Sequence, residues 1–332
     1  LTALLVARDR ALAAGHDLSR LRLVLGEHAH YTLLRSRHVL GLPPESLIVI
    51  PFRDDLAMDV AALATHLDDL RQQDLLVMAV IAAAGCTANG AFDDLAAIGE
   101  LSAAAGAWFH VDAAHGGAAL LSRRLKSRLA GLGLADSVVI NPHKMFFLAA
   151  PCSVLLCRHR ADFAASLDVG LESARYVIPD PASLATTADG DEPLRWTLAC
   201  TRFFSAFRLY AALSTYGAAG IATRIERSCD LAQYLHDLIV AAPDFEVLTQ
   251  PAFNMVCFRY RPAAVPQSER DDFNRTLRQK IASGQAAYLT GCMARGCYWL
   301  RAQIMSENTD EAALGGLLPL LRQAATDLLS HS

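Results

Sequence analysis

Lysine is scarce in this sequence, since only three of its 30 basic residues are lysines. Lys126 and Lys280 lie in the polar segments SRRLKSR and RTLRQK, which are typical of solvated helix faces. Lys144 instead begins the apolar segment KMFFLAAP and has no acidic neighbour in the sequence. Because burying an ammonium group without a partner is costly, Lys144 needs a chemical explanation.

The chain also lacks features that would assign it to other classes of protein. Its formal net charge is −4 and it has no basic stripe, so nucleic acid is not an expected partner. No apolar run is long enough to span a bilayer, and the N-terminus lacks the basic-then-apolar pattern of a secretory signal. Because the sequence starts at Leu1 rather than at a methionine, within a helical pattern, we expect the natural N-terminus to lie further upstream.

The cysteines form no CxxC pair, although the chain has eight of them. Four of them, Cys86, Cys200, Cys229 and Cys257, stand in apolar or helical surroundings. This pattern indicates buried free thiols in a reducing cytoplasm rather than disulfides. We therefore expect no metal site built from cysteines.

Apolar segments alternate with segments of helical period over the first 158 residues. The apolar segments show no polar alternation, which is typical of a mostly parallel sheet covered by helices on both faces, the α/β class. The predicted strands are LRLVLGE, SLIVIPF, LLVMAVIAAA, AWFHVDAA, DSVVINP and CSVLLCR. The predicted helices are LTALLVARDRALAAG, YTLLRSRHVLG, residues 59–73, a helix capped by Asp93 that runs to about Ala105, and one more after AWFHVDAA.

The pattern changes after Pro151. The segment IPDPASLATTADGDEP is rich in Pro, Ala, Thr and Asp and predicts a mobile loop. A long helix is predicted from about Arg195 to Tyr216, and the remainder reads as helix, strands and a final helix. We therefore expect a large α/β domain over residues 1–216 and a smaller α+β domain over residues 217–332.

Polar side chains stand where four of the predicted strands end, which is where open α/β sheets bind their ligands. Asp112 ends AWFHVDAA, Thr87 follows LLVMAVIAAA, and His30 follows LRLVLGE. Asn141, His143 and Lys144 follow the strand DSVVINP. These ends predict a site that combines an acid, an amine, a hydroxyl group and imidazoles.

Lys144 and Asp112 together indicate a particular chemistry. Desolvation favours a neutral amine, which is a nucleophile toward carbonyl groups. A carboxylate followed by small residues, as in DAAHGG, suits a flat pyridine ring, whose protonated nitrogen makes the ring an electron sink. Taken singly, Lys144 is also explained by a lysine that snorkels to solvent, and Asp112 by a helix cap.

Several segments resemble the pyridoxal-phosphate-dependent group II amino-acid decarboxylases, which include glutamate, aromatic amino-acid, cysteine sulfinate and diaminobutyrate decarboxylases. The resemblance covers nearly the whole chain, and its most specific part pairs Asp-x-Ala with Asn-Pro-His-Lys. It implies the aspartate-aminotransferase-like (type I) fold, pyridoxal phosphate as cofactor, an amino-acid substrate and a homodimer with shared active sites. The segments are HVDAAHGGAALL, ADSVVINPHKMFF, EHAHYTLLRSRHVLGL, AGCTANGAFDDLAAIGE, WTLACTRFFSAFRLYAAL, FNMVCFRY and YWLRAQIMSENT.

The resemblance implies a catalytic role for three residues. Lys144 matches the lysine that forms an imine with the cofactor, and Asp112 matches the acid paired with the pyridine nitrogen. His30 matches the histidine that stacks on one ring face and takes part in proton transfer. The further cofactor-binding residues it implies are Thr87 near the ring, Ala114 against the other ring face, Asn141 and His143 near the phosphate or the imine, and Thr201, whose backbone would reach the phosphate of the partner subunit.

The sequence departs from the family pattern in three places. The family's Gly/Ser-rich phosphate-binding turn would precede LTALLVARDRAL, where this chain begins. The mobile loop of the family usually carries a tyrosine, but none lies between Val177 and Trp196. The sequence GCT replaces the more common Gly-Thr-Thr and places Cys86 beside Thr87.

Three functions remain open from the sequence. The first is decarboxylation of an L-amino acid. The second is another reaction on the same cofactor, either an aldehyde-forming oxidative deamination or a carbon–carbon cleavage, which the absent loop tyrosine would favour. The third is a metal-dependent hydrolase, which leaves Lys144 unexplained; its ligands would be His28, His30, His110, Asp112 and His115.

Overall fold

The computed structural model describes residues 1–167, 197–199, 202–285 and 287–330. These residues form two β-sheets with helices packed against them. Within these ranges, no helix has both the length and the apolar character that crossing a membrane requires.

The first sheet has the strand order β2-β1-β3-β4-β5-β6. Its first five strands pair in parallel, and only the edge strand β6 runs antiparallel. The prediction of a mostly parallel α/β sheet is therefore confirmed. The strands are β1 (Leu21–Gly26), β2 (Leu47–Ile50), β3 (Leu76–Ala83), β4 (Trp108–Asp112), β5 (Ser137–Ile140) and β6 (Val154–Cys157).

Helices cover both faces of this sheet, which explains why its strands are apolar throughout. Phe109 packs into the core on one face, while its neighbour Trp108 packs into the core on the other. Burial of each such side chain stabilises the fold by about 1.5–3 kcal/mol. The helices are α1 (Thr2–Ala13), α2 (Thr32–Val39), α3 (Val60–Gln72), α4 (Leu95–Ala104) and α5 (Arg160–Leu167).

The prediction that Asp93 caps the following helix was wrong, because Asp94 caps α4. The Asp94 carboxylate accepts a hydrogen bond from Ala97 N at 3.1 Å. Asp93 is buried, and its two oxygens accept hydrogen bonds from Met58 N at 2.7 Å and Ala83 N at 2.6 Å. Asp93 therefore ties the end of β3 to the segment that precedes α3.

The helix predicted after β4 is also wrong, since this segment forms three short 3₁₀ turns. The segment contains four glycines, and each glycine disfavours a regular helix by about 1 kcal/mol. The turns span Gly116–Leu121, Lys126–Leu129 and Leu132–Leu134.

The second sheet is antiparallel, with the strand order β7-β8-β10-β9. Its core contains Phe258 and Leu300 from the strands and Leu277 and Leu321 from the helices. The strands are β7 (Phe245–Val247), β8 (Met255–Tyr260), β9 (Thr290–Ala294) and β10 (Cys297–Gln303). The helices are α6 (Ser205–Val240), α7 (Arg270–Ser283), α8 (Glu311–Gly315) and α9 (Leu317–Leu329).

Helix α6 begins later and runs further than the predicted helix from Arg195 to Tyr216. It starts at Ser205 and continues to Val240, with non-helical backbone angles at Gly217 (φ 64°, ψ 168°). The early apolar pattern misled the prediction because Phe203 and Phe204 are exposed rather than helical. The division into domains at residues 216 and 217 stays a prediction, and the break in α6 is the local feature that favours it.

Candidate active site

Strands β1, β3, β4 and β5 are parallel and end at the same edge of the first sheet. The segments that follow β1, β3 and β4 line a cleft that is partly open to solvent. Such a cleft at the carboxyl ends of strands is the usual ligand site of an open α/β sheet. Four of the predicted site residues line it: His30, Thr87, Asp112 and Ala114.

Two glycines allow the turns after β3 and β4 to approach closely beneath the cleft. Gly85 has a left-handed backbone (φ +80°), and a Cβ atom there would lie 2.7 Å from Gly116 N. A Cβ atom on Gly116 would lie 2.5 Å from Ala84 O, the atom to which Gly116 N donates a hydrogen bond of 2.9 Å. Because only glycine fits at such a crossing, these residues bring the segments of Thr87 and Asp112 together.

Asp112 is the last residue of β4 and is half-buried. Its Oδ1 accepts a hydrogen bond from Ala114 N at 3.1 Å, which fixes the carboxylate beside the turn. Ala114 O in turn accepts a hydrogen bond from Asn141 N at 3.1 Å. The turn that carries Asp112 and the turn that carries Lys144 are thereby joined.

Lys144 lies in the turn after β5 and is half-buried, and its backbone N donates to Asn141 O at 2.9 Å. Burial lowers the pKa of its ammonium group, Asp112 acts in the opposite direction, and Arg301 lowers the pKa further. No salt bridge of Lys144 occurs within the described ranges. The surroundings therefore favour the neutral amine more than water does.

His30 follows β1 and lies within electrostatic range of Asp112 and Lys144. Burial lowers the pKa of its imidazole, while Asp112 raises it and Lys144 lowers it. Thr32 N donates a hydrogen bond of 3.3 Å to His30 Nδ1, and Thr32 Oγ1 lies 2.7 Å from the same atom. Because a backbone N–H can only donate, the neutral ring carries its proton on Nε2.

The remaining predicted site residues, Lys144 among them, lie outside the lining of the cleft. Asn141 stands beside Ala114, and its buried Oδ1 has no hydrogen-bond partner among the described residues. His143 contacts the backbone of Cys152, whose carbonyl oxygen lies 2.5 Å from His143 Nδ1. Thr201 lies outside the residues that the structure describes, as does the predicted loop between Val177 and Pro193.

A family model described as the pyridoxal-dependent decarboxylase conserved domain matches residues 5–261. The chain belongs to this family. Its relatives include an L-2,4-diaminobutyrate decarboxylase of Rhizobium meliloti, which is 31% identical over 335 residues that cover 100% of this chain and 65% of the relative. A glutamate decarboxylase-like protein of Gibberella zeae is 31% identical over 80% of this chain and 58% of its own length.

Solved decarboxylase structures share the fold. The crystal structure of Oryza sativa TDC with PLP and tryptamine superposes with a TM-score of 0.90 at 26% identity, over 98% of this chain and 68% of that one. Mouse CSAD superposes with a TM-score of 0.86 at 25% identity, over 98% of this chain and 69% of that one. The chain thus has the type I fold, and it spans 58% and 66% of the first two curated relatives that it matches.

The residues that line the cleft, together with Lys144 and Asn141 in the neighbouring turn, fit pyridoxal phosphate, the cofactor of this decarboxylase family. A half-buried lysine with a lowered pKa suits covalent attachment to an aldehyde. Asp112 and the small Ala114 lie together at the cleft, where a flat heterocycle would need a carboxylate and little bulk. Among the described residues, the buried Oδ1 of Asn141 has no donor and so leaves an acceptor near Lys144 for a cofactor group.

Sequence reasoning missed two residues that β10 contributes to this site. Arg301 donates hydrogen bonds to Thr87 O and, at 2.7 Å, to Thr290 Oγ1. Gln303 Nε2 lies 3.3 Å from Nδ1 of His115, a buried residue that lines the cleft. A signal was present, because Arg301 and Gln303 alternate with apolar residues in the otherwise apolar strand YWLRAQIM.

Asn254, which is fully buried, was also missed and joins the small sheet to both turns of the site. Its Nδ2 donates to Ile304 O at 2.8 Å and contacts Met145 Sδ at 3.0 Å, which fixes the amide orientation. Its Oδ1 therefore accepts from His115 Nε2 at 2.7 Å. Burial lowers the pKa of His115 to about 4, so this imidazole is neutral at pH 7.

The histidines proposed for a metal-dependent hydrolase have other contacts. The His28 ring stacks on Phe52 with centroids 4.4 Å apart, and His110 Nδ1 lies 2.8 Å from Ser137 Oγ. Within the described part of the chain, no group of three or more His, Cys, Asp and Glu side chains is arranged to hold a metal ion. The family of the chain is instead one of pyridoxal-dependent decarboxylases.

Proposed function

We propose that the protein catalyses the pyridoxal-phosphate-dependent decarboxylation of an L-amino acid, which yields an amine and CO₂. The observation that carries the proposal is the Lys144 amine, held half-buried within electrostatic range of Asp112 at the edge of the parallel sheet. Membership of the decarboxylase family supports the same reaction.

Lys144 would provide the covalent attachment. Pyridoxal phosphate supplies, when bound, an aldehyde that condenses with amines and a pyridinium ring that accepts the electron pair left when CO₂ departs. Burial and Arg301 lower the pKa of Lys144, which increases the neutral fraction of its Nζ, the form that attacks a carbonyl group.

Asp112, Ala114 and His30 would position a flat ring in the cleft. The Asp112 carboxylate would hold a proton on a heterocyclic nitrogen by charge pairing. Ala114 adds little bulk on one side, and Thr87 lies in the same lining. The His30 ring, with its proton on Nε2, is a neutral partner for stacking and for proton transfer near pH 7.

Arg301 would favour anionic substrates. Its guanidinium group is anchored by Thr87 O and Thr290 Oγ1 and acts on the pKa of both Lys144 and His115. A fixed cation bound to the backbone of Thr87, which lines the cleft, attracts carboxylates such as that of an amino acid. Asn141 and His143 would complete the surroundings of Lys144.

The active protein would be a homodimer with shared sites. Aromatic side chains just before α6 and in its first turns are largely exposed: Phe203 by 75%, Phe204 by 78% and Tyr210 by 69%. A contiguous exposed aromatic surface is typical of a protein–protein interface. Thr201 lies outside the described residues, and its backbone contact with the partner's phosphate stays a prediction from the family resemblance.

We also propose a cytoplasmic location. The described cysteines are free thiols, and none of them forms a disulfide. Free thiols, several of them buried, are typical of a reducing compartment.

An aldehyde-forming oxidative deamination on the same cofactor is the second candidate. It is favoured by the absence of tyrosine between Val177 and Trp196. A phenylacetaldehyde synthase of a Rosa hybrid cultivar is 27% identical over 98% of this chain and 65% of its own length. The two candidates differ in products, because decarboxylation alone gives an amine, whereas oxidative deamination consumes O₂ and gives an aldehyde.

The test is a product analysis of the purified holoenzyme. A panel of L-amino acids is assayed for CO₂, amine, aldehyde and O₂ consumption, after the enzyme has been shown to have a visible absorption band that borohydride abolishes. CO₂ and amine in equal amounts, without O₂ consumption, support the proposal. Aldehyde in place of amine would favour the second candidate, and turnover without the absorption band would overturn both.

A further inference from the structure

One buried amide side chain joins three segments around the candidate active site. Asn254 lies just before β8, is fully buried and stands outside the lining of the cleft. Its Oδ1 accepts a hydrogen bond from His115 Nε2 at 2.7 Å, and its Nδ2 donates to Ile304 O at 2.8 Å. The same Nδ2 lies 3.0 Å from Met145 Sδ. Both polar atoms of the side chain are therefore in contact with other segments.

Two of these partners adjoin residues that the cofactor would contact. His115 follows Ala114 in the turn after β4, and Met145 follows Lys144 in the turn after β5. His115 and Met145 are both buried, so neither side chain can move without disturbing its neighbours. Because one amide contacts both side chains, it links the turn of Ala114 to the turn of Lys144.

The ring of His115 is held on several sides. Because Asn254 Oδ1 can only accept, His115 Nε2 carries the imidazole proton. Gln303 Nε2 lies 3.3 Å from Nδ1 and 3.4 Å from Nε2, and of these two atoms only Nδ1 has a lone pair that can accept. The ring also packs edge-on against Phe253, with centroids 5.6 Å apart. These contacts restrict the turn that carries Ala114.

Asn254 is itself anchored to the small sheet. Ile304 N donates to Asn254 O at 2.9 Å, and Asn254 Nδ2 returns a hydrogen bond to Ile304 O, so the two residues extend the ladder of β8 and β10. Side chains that are supported by strands hold a site more precisely than side chains on loops. The small sheet therefore provides the rigid support for both turns.

We propose that Asn254 is a positioning residue of the active site, which sets the separation between Ala114 and Lys144. It acts through His115 and Met145 and touches neither the cofactor nor the substrate. A flat ring that rests against Ala114 and is bound to Lys144 takes its position from both turns. A misplacement of about 1 Å caused from outside a site can slow a reaction about 10²-fold. The inference rests on the proposed pyridoxal-phosphate function.

Asn274 provides a matched control for the loss of a buried amide. It is also fully buried, and its side chain bonds to Tyr260 N and Tyr260 O at 3.0 Å each and to Arg270 O at 2.8 Å. Tyr260 is the last residue of β8, so this contact lies about 20 Å along the strand from Asn254. Asn274→Ala thus removes a comparable set of polar contacts, and none of them involves a residue of the cleft lining.

The test compares the holoenzymes of the wild type, Asn254→Ala and Asn274→Ala, with far-UV circular dichroism to confirm that each is folded. In Asn254→Ala, kcat for CO₂ release should fall about tenfold or more, with a smaller change in KM. The visible circular dichroism of the bound cofactor should change, and pyridoxal phosphate should dissociate faster. Asn274→Ala should keep the wild-type kcat and visible spectrum, however much it lowers the free energy of unfolding.

Asn254→Ser replaces the alanine variant if that variant does not fold, because its hydroxyl group can satisfy one of the buried partners. Equal losses of kcat in the variants of Asn254 and Asn274, or an unchanged visible spectrum in the Asn254 variant, would overturn the positioning role. A wild type that has neither the borohydride-sensitive band nor CO₂ release would instead overturn the proposed function, and the inference with it.

Discussion

Lys144 is the residue on which the proposed chemistry depends most directly. Lys144→Ala removes the amine whose pKa is lowered by burial, so turnover should fall to background and the borohydride-sensitive absorption band should disappear. Lys280→Ala is the matched control, because Lys280 stands on α7, where it pairs with Asp327. Full activity in Lys144→Ala, measured as CO₂ release, would end the decarboxylase proposal.

Substitution of Asp112 tests the proposed electron-sink mechanism, whereas substitution of Lys144 tests covalent attachment of the cofactor. Asp112→Asn keeps the shape and a hydrogen-bonding group but removes the charge that favours a protonated heterocyclic nitrogen. The loss matters most where negative charge develops on Cα, so kcat should fall by roughly 10²-fold or more while the cofactor still binds. Cofactor retention is measured by absorbance and kcat by CO₂ release. A near-normal kcat would make Asp112 a structural acid.

The residues of the cleft divide into those that local sequence predicts and those that it cannot. Asp112 ends an apolar strand, and His30, Thr87 and Ala114 follow apolar strands by a few positions, so topology alone places them at one edge. Arg301 is 214 positions away from its partner Thr87, and it belongs to a different sheet. No local pattern predicts such a contact, because it depends on how two sheets pack.

At the scale of secondary-structure elements, Asp93 gives a prediction about pH. Its carboxylate joins β3 to the segment before α3, and burial raises its pKa to about 6. Because the ordinary pKa is about 3.9, the folded state binds the proton more tightly than the unfolded state between these values. The stability that this group contributes is therefore greatest below pH 4 and falls by about 2–3 kcal/mol as pH rises through 6.

This prediction is checked by urea unfolding of the wild type and Asp93→Asn at several pH values between 4 and 7. The unfolding free energy of the wild type, measured relative to that of the variant, should fall by that amount as pH rises. Asp94→Asn is the control, because an asparagine side chain at this exposed position can still cap α4, so its difference from the wild type should stay flat. A flat difference for Asp93→Asn would show that the carboxyl group titrates at its ordinary pKa.

The secondary-structure elements were predicted best where one pattern of apolar residues continues over the whole element. The six strands of the first sheet were found because each is apolar for several residues between turn signals. The sequence failed between Gly116 and Leu134, where apolar residues suggested a helix but close packing of glycines imposes 3₁₀ turns. It also failed at the start of α6. The aromatic residues Phe203 and Phe204 resemble part of a buried helix in the sequence, but they are exposed and precede the helix.

At the scale of the whole molecule, the exposed aromatic surface of α6 predicts assembly. Phe207→Asp introduces a charge at a position that is 57% exposed in the single chain. In a homodimer that uses this surface, the variant should be largely monomeric and should lose activity with it. Tyr288→Asp is the control, because Tyr288 is 83% exposed on a different segment. Light scattering at assay concentration measures the oligomeric state of the wild type and both variants. A wild-type monomer with full activity would refute the shared-site dimer.

The hydrogen bond between His115 and Asn254 has a consequence for how this sequence can change over time. Both groups are buried, so replacing one partner alone leaves an unpaired polar group at a cost of about 1–3 kcal/mol. Replacing both by apolar residues of similar shape can be nearly neutral. Substitutions at these two positions, 139 residues apart in sequence, should therefore be inherited as a pair among homologues, and a double-mutant cycle should show strong coupling between them. Substitution of Asn254, just before β8 of the small sheet, is thus constrained by His115, three residues beyond Asp112 in the site.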